Sequence, residues 1–466
     1  MGADPVQCNT EAVDPNLRSP YVGTWTLDLQ RAITNSLSVE VAYVGNHGTK
    51  FLGFQDINQP LVGAGFPGVG SLTGTALGEV AWCNANDLFT TPAASIPKFK
   101  GAPIACDPGD SSKGAVQAAR PFNTKSPYLA QIDRLANLDM SNYSGLQVTL
   151  TERAMHGLSF TGGYTYAHAL DDASANFNAN PLPPNSYNPK SQYGNSDFDI
   201  RHRFTLTASY ALPGKKSLGQ MLEGWQLNSV ITLQTGSPWT PQDTSNDFPG
   251  NGQVTELDSY GQFWNFTGNR ADFTSSRNPI PCWSGAGGAA LSGCAIGAGV
   301  GAGTPPPAAC MNAATTTGQM NTLLDVGCYF QGNSALTPPA LGTIGNSGRN
   351  PFRDGGYKNW DLSVTKNWTF KERLTTQFRA EFFNILNHPI FTNPNGPAGA
   401  GFADPSGGVA TNFGCGCNTP DQASPNPVLG DGRQPLDSVG SEADLVDSIS
   451  QMENGKGLAH LLALSI

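Results

Sequence analysis

Charge is scarce in this sequence. Only 13% of its 466 residues are Asp, Glu, Lys or Arg, about half the share of an ordinary soluble chain. Lys and Arg form no cluster and the formal net charge is −10, which excludes a surface that binds nucleic acid by displacing counterions from phosphates. No run of eighteen apolar residues occurs, so a helical membrane span is excluded, while crossing by strands stays open. The opening "MGADPVQCNTEAVDPN" has neither the basic n-region nor the apolar h-region of a secretory signal peptide. What the chain has in quantity is Gly (55) and Pro (35), a composition for strands and long loops, and its length suits one large all-β domain.

Catalytic and metal-binding patterns are missing too. The nine cysteines are Cys8, Cys83, Cys106, Cys282, Cys294, Cys310, Cys328, Cys415 and Cys417, and their spacings match no zinc pattern. All fall outside segments that read as strands, which predicts disulfides within loops: Cys83 with Cys106 in one, four more in another, and at least one thiol left over. The histidines His47, His156, His168 and His388 are scattered at strand ends and turns without a serine-based arrangement around them. "DFDIRHRF" brings Asp197, Asp199 and His202 together, but on a strand His202 points away from Asp197, Asp199 and Arg201, so the reading is a charged patch in which Asp199 and Arg201 neutralise each other. Asp171 and Asp172 read as solvated loop carboxylates, and Arg379 with Glu381 as a structural ion pair on the polar side of a strand. The expectation is therefore no catalytic, metal or cofactor site, with ligand-binding residues unassigned. The tract 283–310, rich in Gly, Ala and Pro, lacks periodicity and is predicted to build no core.

Alternation carries the positive signal. In "GLQVTLTERAMHGLSFTGGYTYAH" (145–168), Leu146, Val148 and Leu150 alternate with polar residues, and so do Leu158, Phe160, Tyr164 and Tyr166 after a short break, a hairpin with one apolar and one polar face. The pattern recurs from Trp25 to Leu29, Leu37 to Tyr43, Phe204 to Leu212, Trp225 to Leu233, Trp360 to Val364 and Leu374 to Phe382. These are eight strands of about ten residues, the length that crosses a bilayer at a tilt. Their connections alternate between short (34–36, 154–157, 213–223, 371–372) and long (48–141, 171–199, 237–356, 385–428). Short turns at one end and long loops at the other mark an antiparallel transmembrane β-barrel with long extracellular loops, its apolar face on lipid and its Thr/Gln/Ser face lining a lumen. A soluble β-sandwich, with the apolar face on a core, is the competing fold.

Several segments resemble one family, the β-barrel region of TonB-dependent, Oar-like outer-membrane receptors. They are "DPNLRSPYVGTWTLDLQRAI" (14–33), "SVEVAYVGNHGTKF" (38–51) with "DINQP", "SNYSGLQVTLTERAMHGLSFTGGYTYAHALDDAS" (141–174), "DIRHRFTLTASYALP" (199–213), "GWQLNSVITLQTGSPWT" (224–240), and "GNSGRNPFRDGGYKNWDLSVTKNW" (345–368) with "RAEFFNILNHPIF" (379–391). The resemblance implies a barrel of about twenty-two strands preceded by a plug and a TonB box. Neither upstream part has a match here, so the chain is read as a C-terminal portion of such a receptor, all-β, with about eight strands of a larger barrel. Its implied partners are outer-membrane lipid, a plug domain and the TonB energy-coupling complex. Its location is the bacterial outer membrane, any signal peptide lying upstream.

Residues 1–428 are assigned to the barrel and 429–466 to a non-barrel tail. Codons permitted for residues 431–446, read one base later, can spell an alternating closing strand ending in Trp, so the tail is read as frameshifted; a genuine extension with a marginal helix over 441–465 is the other account. Functionally the expectation is a non-enzymatic piece of a receptor for an unknown ligand, unable to drive uptake alone, and the alternative is a surface-anchoring or adhesive barrel.

Overall fold

The structure, a computed structural model, describes residues 8–65, 113–174, 182–243, 245–253, 261–276, 278–285, 304–317, 319–370 and 374–388, with short pieces elsewhere that include 413–414 and 462–465. In chain order its main elements are β1 (Cys8–Val13), β2 (Tyr21–Ala32), β3 (Leu37–Asp56), α1 (Lys113–Ala119), β4 (Leu129–Met155), β5 (Leu158–Asp171), β6 (His202–Ala211) and β7 (Trp225–Gln234). There follow β8 (Asn265–Thr267), β9 (Cys282–Ser284), α2 (Ala308–Thr317), α3 (Met320–Val326), β10 (Gly327–Gln331), β11 (Ser334–Thr337), β12 (Tyr357–Phe370), β13 (Leu374–Phe382) and β14 (Leu462–Ser465).

All eight strands expected from the alternation form, and they pair in sequence order as an antiparallel meander from β2 to β7 and on through β12 to β13. The hairpin turns explain the tight pairings at one end. Thr34 Oγ1 accepts from the N–H groups of Ser36 (3.2 Å) and Leu37 (2.9 Å) between β2 and β3. His156 and Gly157, both at positive φ (51° and 86°), make the two-residue link between β4 and β5, the left-handed pair that matches strand twist.

Register sorts the side chains. One row runs Leu29, Val41, Val148, Tyr164, Phe204 and Leu233 across β2 to β7. The next runs Gln30, Glu40, Thr149, Gly163, Thr205, Thr232 and Asn359. Because side chains alternate across a strand, the sheet has one continuous apolar face and one continuous polar face.

Nothing in the described residues covers that apolar face. Leu27 and Leu29 are 62% and 64% exposed, and Leu150, Tyr164, Tyr166 and Leu233 are exposed as well. A sandwich would bury these residues against a second layer, so the face is built for hydrocarbon. The fold is all-β, of the transmembrane barrel kind. The sheet does not close, since no pairing joins β2 to β13 or β14 among the described residues.

The buried core lies elsewhere, in the long connection between β7 and β12. Trp239, Phe248, Trp264, Phe273, Tyr329 and Phe352 form one cluster, which Phe413 joins; Trp283, Cys310, Leu323 and Cys328 belong to a second. Around them β8, β11, β10 and β9 make a four-stranded sheet, and the disulfides Cys282–Cys294 and Cys310–Cys328 close the segment on itself. This cap stands at the end of the sheet where all the long connections lie.

Three expectations change. Cys8, Cys282 and Cys328 lie in strands rather than loops, because short strands such as Cys282–Ser284 are too brief to show alternation. The described parts of 283–310 do enter a core, through Trp283, Leu291 and Cys310, since its bulky residues stand at the edges of the small-residue tract. The connection read as 48–141 is shorter, because β3 continues to Asp56 and β4 begins at Leu129. At ~3.3 Å per residue the 27 residues of β4 span about 90 Å, three times the hydrocarbon thickness. Above the bilayer neither face meets lipid, so the alternation that flagged the lower half is lost. The pairing of Cys83 with Cys106, the residues Cys415 and Cys417, and most of 429–466 lie outside the described residues; Leu462–Ser465 pairs antiparallel with β13.

Candidate functional site

The polar face and the rim above it hold the groups able to do anything but pack. On the polar face Asn228 is a hub across three strands. Its Oδ1 accepts from Ser209 Oγ (3.0 Å) and Gln226 Nε2 (2.9 Å), and its Nδ2 donates to Ser363 Oγ and Thr365 Oγ1 (both 3.2 Å). Such neutral donors and acceptors suit a wall facing water. Arg379 and Glu381 pair with each other along β13 on this face, and their exposure makes the pair a weak contributor to stability.

At the rim, two acidic clasps fasten the loops. In the first, Asp56 Oδ1 accepts from the N–H groups of Asn58 (2.8 Å) and Ile132 (3.1 Å), while Oδ2 accepts from Arg120 Nη1 (3.1 Å) and Gln253 Nε2 (3.2 Å). One carboxylate thus ties β3 to β4, to the α1 loop and to the cap. Burial pushes its pKa up despite the adjacent Arg120.

The second clasp is made by Arg349 and Arg353, which approach from the cap just before β12. Arg349 binds the Asp171 carboxylate, the Asp171 carbonyl (2.7 Å) and Ser174 Oγ (2.6 Å), with Asp197 at 3.7 Å. Arg353 binds the Asp199 carboxylate and the Asp199 carbonyl (2.7 Å). Asn350 between them donates to Asp197 Oδ1 (2.6 Å) and accepts from Thr240 Oγ1 (2.8 Å). Burial raises the Asp199 pKa, but the Ala169 N–H and the Arg353 and Arg201 guanidiniums outweigh it and hold the group below the usual carboxylate range. Asp172 differs: burial, resisted by a hydrogen bond from the Met140 N–H, pushes its pKa to about 6.

The residues singled out from sequence are thus dispersed into separate roles, and Asp171 and Asp172 are not solvated loop carboxylates: both are buried beneath the cap, Asp171 at the end of β5 against Arg349. Asp199 and Arg201 do meet, at 2.9 Å, though β6 begins at His202, so strand alternation does not govern 197–201. His202 turns to the apolar side, its Nδ1 2.8 Å from the Tyr164 hydroxyl and its ring 5.0 Å from that of Tyr166. His168 Nε2 lies 2.6 Å from Arg201 Nη2. His47 sits in β3 opposite Gly23, His156 in the β4–β5 turn, and His388 accepts at its carbonyl from Asn384 Nδ2 (2.9 Å). Among the described residues no three His, Cys, Asp or Glu side chains are grouped to hold a metal. Arg349 and Arg353 carry the clasp and were not singled out from sequence; two guanidiniums four residues apart in so charge-poor a chain were the available signal. The arrangement clamps and lines: its carboxylates accept from guanidiniums, backbone N–H groups and, at Asp171, the Ser174 hydroxyl (2.8 Å).

Comparison with known proteins agrees with this geometry. The family profile described as "Outer membrane beta barrel domain" matches residues 1–415. No curated protein matches the chain. Among solved structures it is similar to the outer membrane transporter YddB from Escherichia coli, at 7% identity and a TM-score of 0.32, over 84% of this chain and 32% of that one. The chain therefore spans about a third of that transporter's length. By its family profile, its two-faced meander and its capped rim, this chain belongs to the outer membrane β-barrel domain family and resides in the outer membrane.

Proposed function

We propose that the chain forms part of the wall and outer cap of a TonB-dependent receptor, a transport component rather than an enzyme. The observation that carries the reading is the open meander with a continuous polar face beneath a clasped cap. Lipid tolerates no unpaired strand edge, so an arc that stays open fits a barrel with further strands. The same arrangement offers a ligand a polar lumen behind a selective mouth. In this reading a plug fills the lumen, the TonB complex acts on the plug, and the chain alone does not drive uptake. The resemblance of 14–33, 141–174, 345–368 and 379–391 to Oar-like receptors supports it.

The cap's own cores and disulfides favour a second reading, a barrel that anchors a surface or adhesive module. Sequencing the locus upstream of codon 1 and across codon 430 separates the two. A plug and TonB box in frame, with ligand uptake lost on deleting TonB, establish the receptor. A locus with neither, and cell-surface binding indifferent to TonB, establishes the anchor.

A further inference from the structure

The connection between β6 and β7 differs from the other turns at its end of the sheet. The link between β2 and β3 is 33–36 and that between β4 and β5 is 156–157, whereas this one runs 212–224. It is also built rather than slack. Gln220 uses its side-chain amide as a strand would, donating to the Thr369 carbonyl (2.7 Å) and accepting from the Thr369 N–H (2.9 Å) where β12 outruns β7. Trp225 Nε1 donates to the Met221 carbonyl (2.8 Å), and Ser217 Oγ accepts from the Leu222 N–H (2.8 Å). Gly219 and Gly224 take the positive φ values (65° and 72°) that this path needs, and a Cβ on Gly224 would stand 2.5 Å from the Asn367 carbonyl oxygen.

These anchors decide which side of the sheet the turn occupies. Trp225 lies on the lipid row with Leu227 and Val364, and its cross-strand partner Lys366 reaches the Glu223 and Asn367 carbonyls with its ammonium, 4.7 Å from the Trp368 ring centre. The turn is therefore folded against the lipid face. It presents Leu218, 98% exposed, with Met221 and Leu222 at 60% and 64%. Lys215 and Lys216 stand exposed beside them, in a chain whose net charge is −10. Neither lysine forms an ion pair among the described residues, and Glu223 is the acidic group of the turn.

We infer that the β6–β7 turn is a membrane foot: Leu218, Met221 and Leu222 enter the acyl region of the periplasmic leaflet, while Lys215 and Lys216 bind anionic phospholipid headgroups. Two observations select lipid over a protein partner. The exposed apolar side chains belong to a turn fixed against the lipid face through Trp225 and Lys366, and the lysines give the complement to phosphate at headgroup level. Two lysines, partly offset by Glu223, enrich anionic lipid locally on the order of tenfold.

The test uses the complete barrel of which this chain is read as a part, refolded into phosphatidylcholine vesicles, with heat-shifted gel mobility as the check on assembly. Leu218→Trp places an indole at the tip, read as the emission difference from the parent protein. A minority of brominated phosphatidylglycerol, or of brominated phosphatidylcholine in a matched set, serves as quencher. The expected result is quenching by both, clearly stronger with phosphatidylglycerol, and equalised when Lys215→Glu and Lys216→Glu are added. A tip quenched by aqueous iodide and by neither lipid overturns the foot. Equal quenching by the two lipids with both lysines intact overturns the headgroup assignment.

Discussion

The Arg349 guanidinium lies against the Asp171 carboxylate across 178 residues of sequence, with the arginine side chain 1% exposed. It joins the cap to the tip of β5. Removing one partner of a buried pair strands the other charge, at a cost of about 3–5 kcal/mol. Arg349→Met is expected to loosen the cap while the sheet persists, read as rapid protease cleavage within 235–356 with unchanged gel mobility of the membrane-protected fragment. Arg349→Lys is not expected to rescue it, because one ammonium cannot serve the carboxylate, the Asp171 carbonyl and Ser174 together.

Acid and base should act on this rim with opposite signs. Asp172 has its pKa raised to about 6 in the fold, so the folded state holds the extra proton, and its contribution, full below about 4, is lost as pH rises from about 4 to 6. Asp199 is held low, so its contribution is present above the ordinary Asp range and lost as pH falls through its folded value. Protection of the Met140 N–H, which donates to Asp172 (2.9 Å), is expected to be greater at pH 4.5 than at pH 7.5 once each exchange rate is divided by the intrinsic rate at its own pH. Asp172→Asn should remove that difference. A pH dependence that survives the substitution would assign it to another group.

Much of the sheet is legible because lipid and lumen impose opposite chemistry on successive residues. Leu146 to Leu150 and Phe204 to Tyr210 declare their faces, and every such strand forms. The cap is not legible in that way. β8, β9 and β11 have three or four residues each, and all but Thr267 are buried or half-buried by contacts distant in sequence, so no period can emerge. The upper half of β4 fails for a related reason: Asp133 to Asp139 lies above the bilayer, where polarity no longer separates two faces. Of the candidate site, the Asp199–Arg201 contact follows from proximity in sequence. The partners Arg349 and Arg353 do not, because nothing local ties them to a loop about 150 residues earlier.

The cap's buried disulfide should contribute to the cap's stability and not to the sheet's. Cys310 and Cys328 are both fully buried and close a loop of 18 residues, a constraint on the unfolded segment of about 3 kcal/mol. Cys310→Ser with Cys328→Ser is expected to lower the urea midpoint of cap proteolysis while leaving the sheet's gel mobility unchanged. Loss of the sheet along with the cap would mean that the two do not fold as separate units.

The central claim is that one face of the sheet meets lipid and the other a lumen, and an arginine scan along β6 tests it most directly. Phe204, Leu206 and Ala208 share the apolar rows, while Thr205 and Thr207 lie in the polar ones. Arginine on a lipid face near the bilayer midplane costs about 2–4 kcal/mol and on a lumen wall far less. Measured in the complete barrel of which this chain is read as a part, folding free energies of the five single variants in vesicles are predicted to alternate, with Leu206→Arg strongly destabilised and Thr207→Arg near the parent. A flat profile, or one with its minima at Thr205 and Thr207, would contradict the assignment of faces.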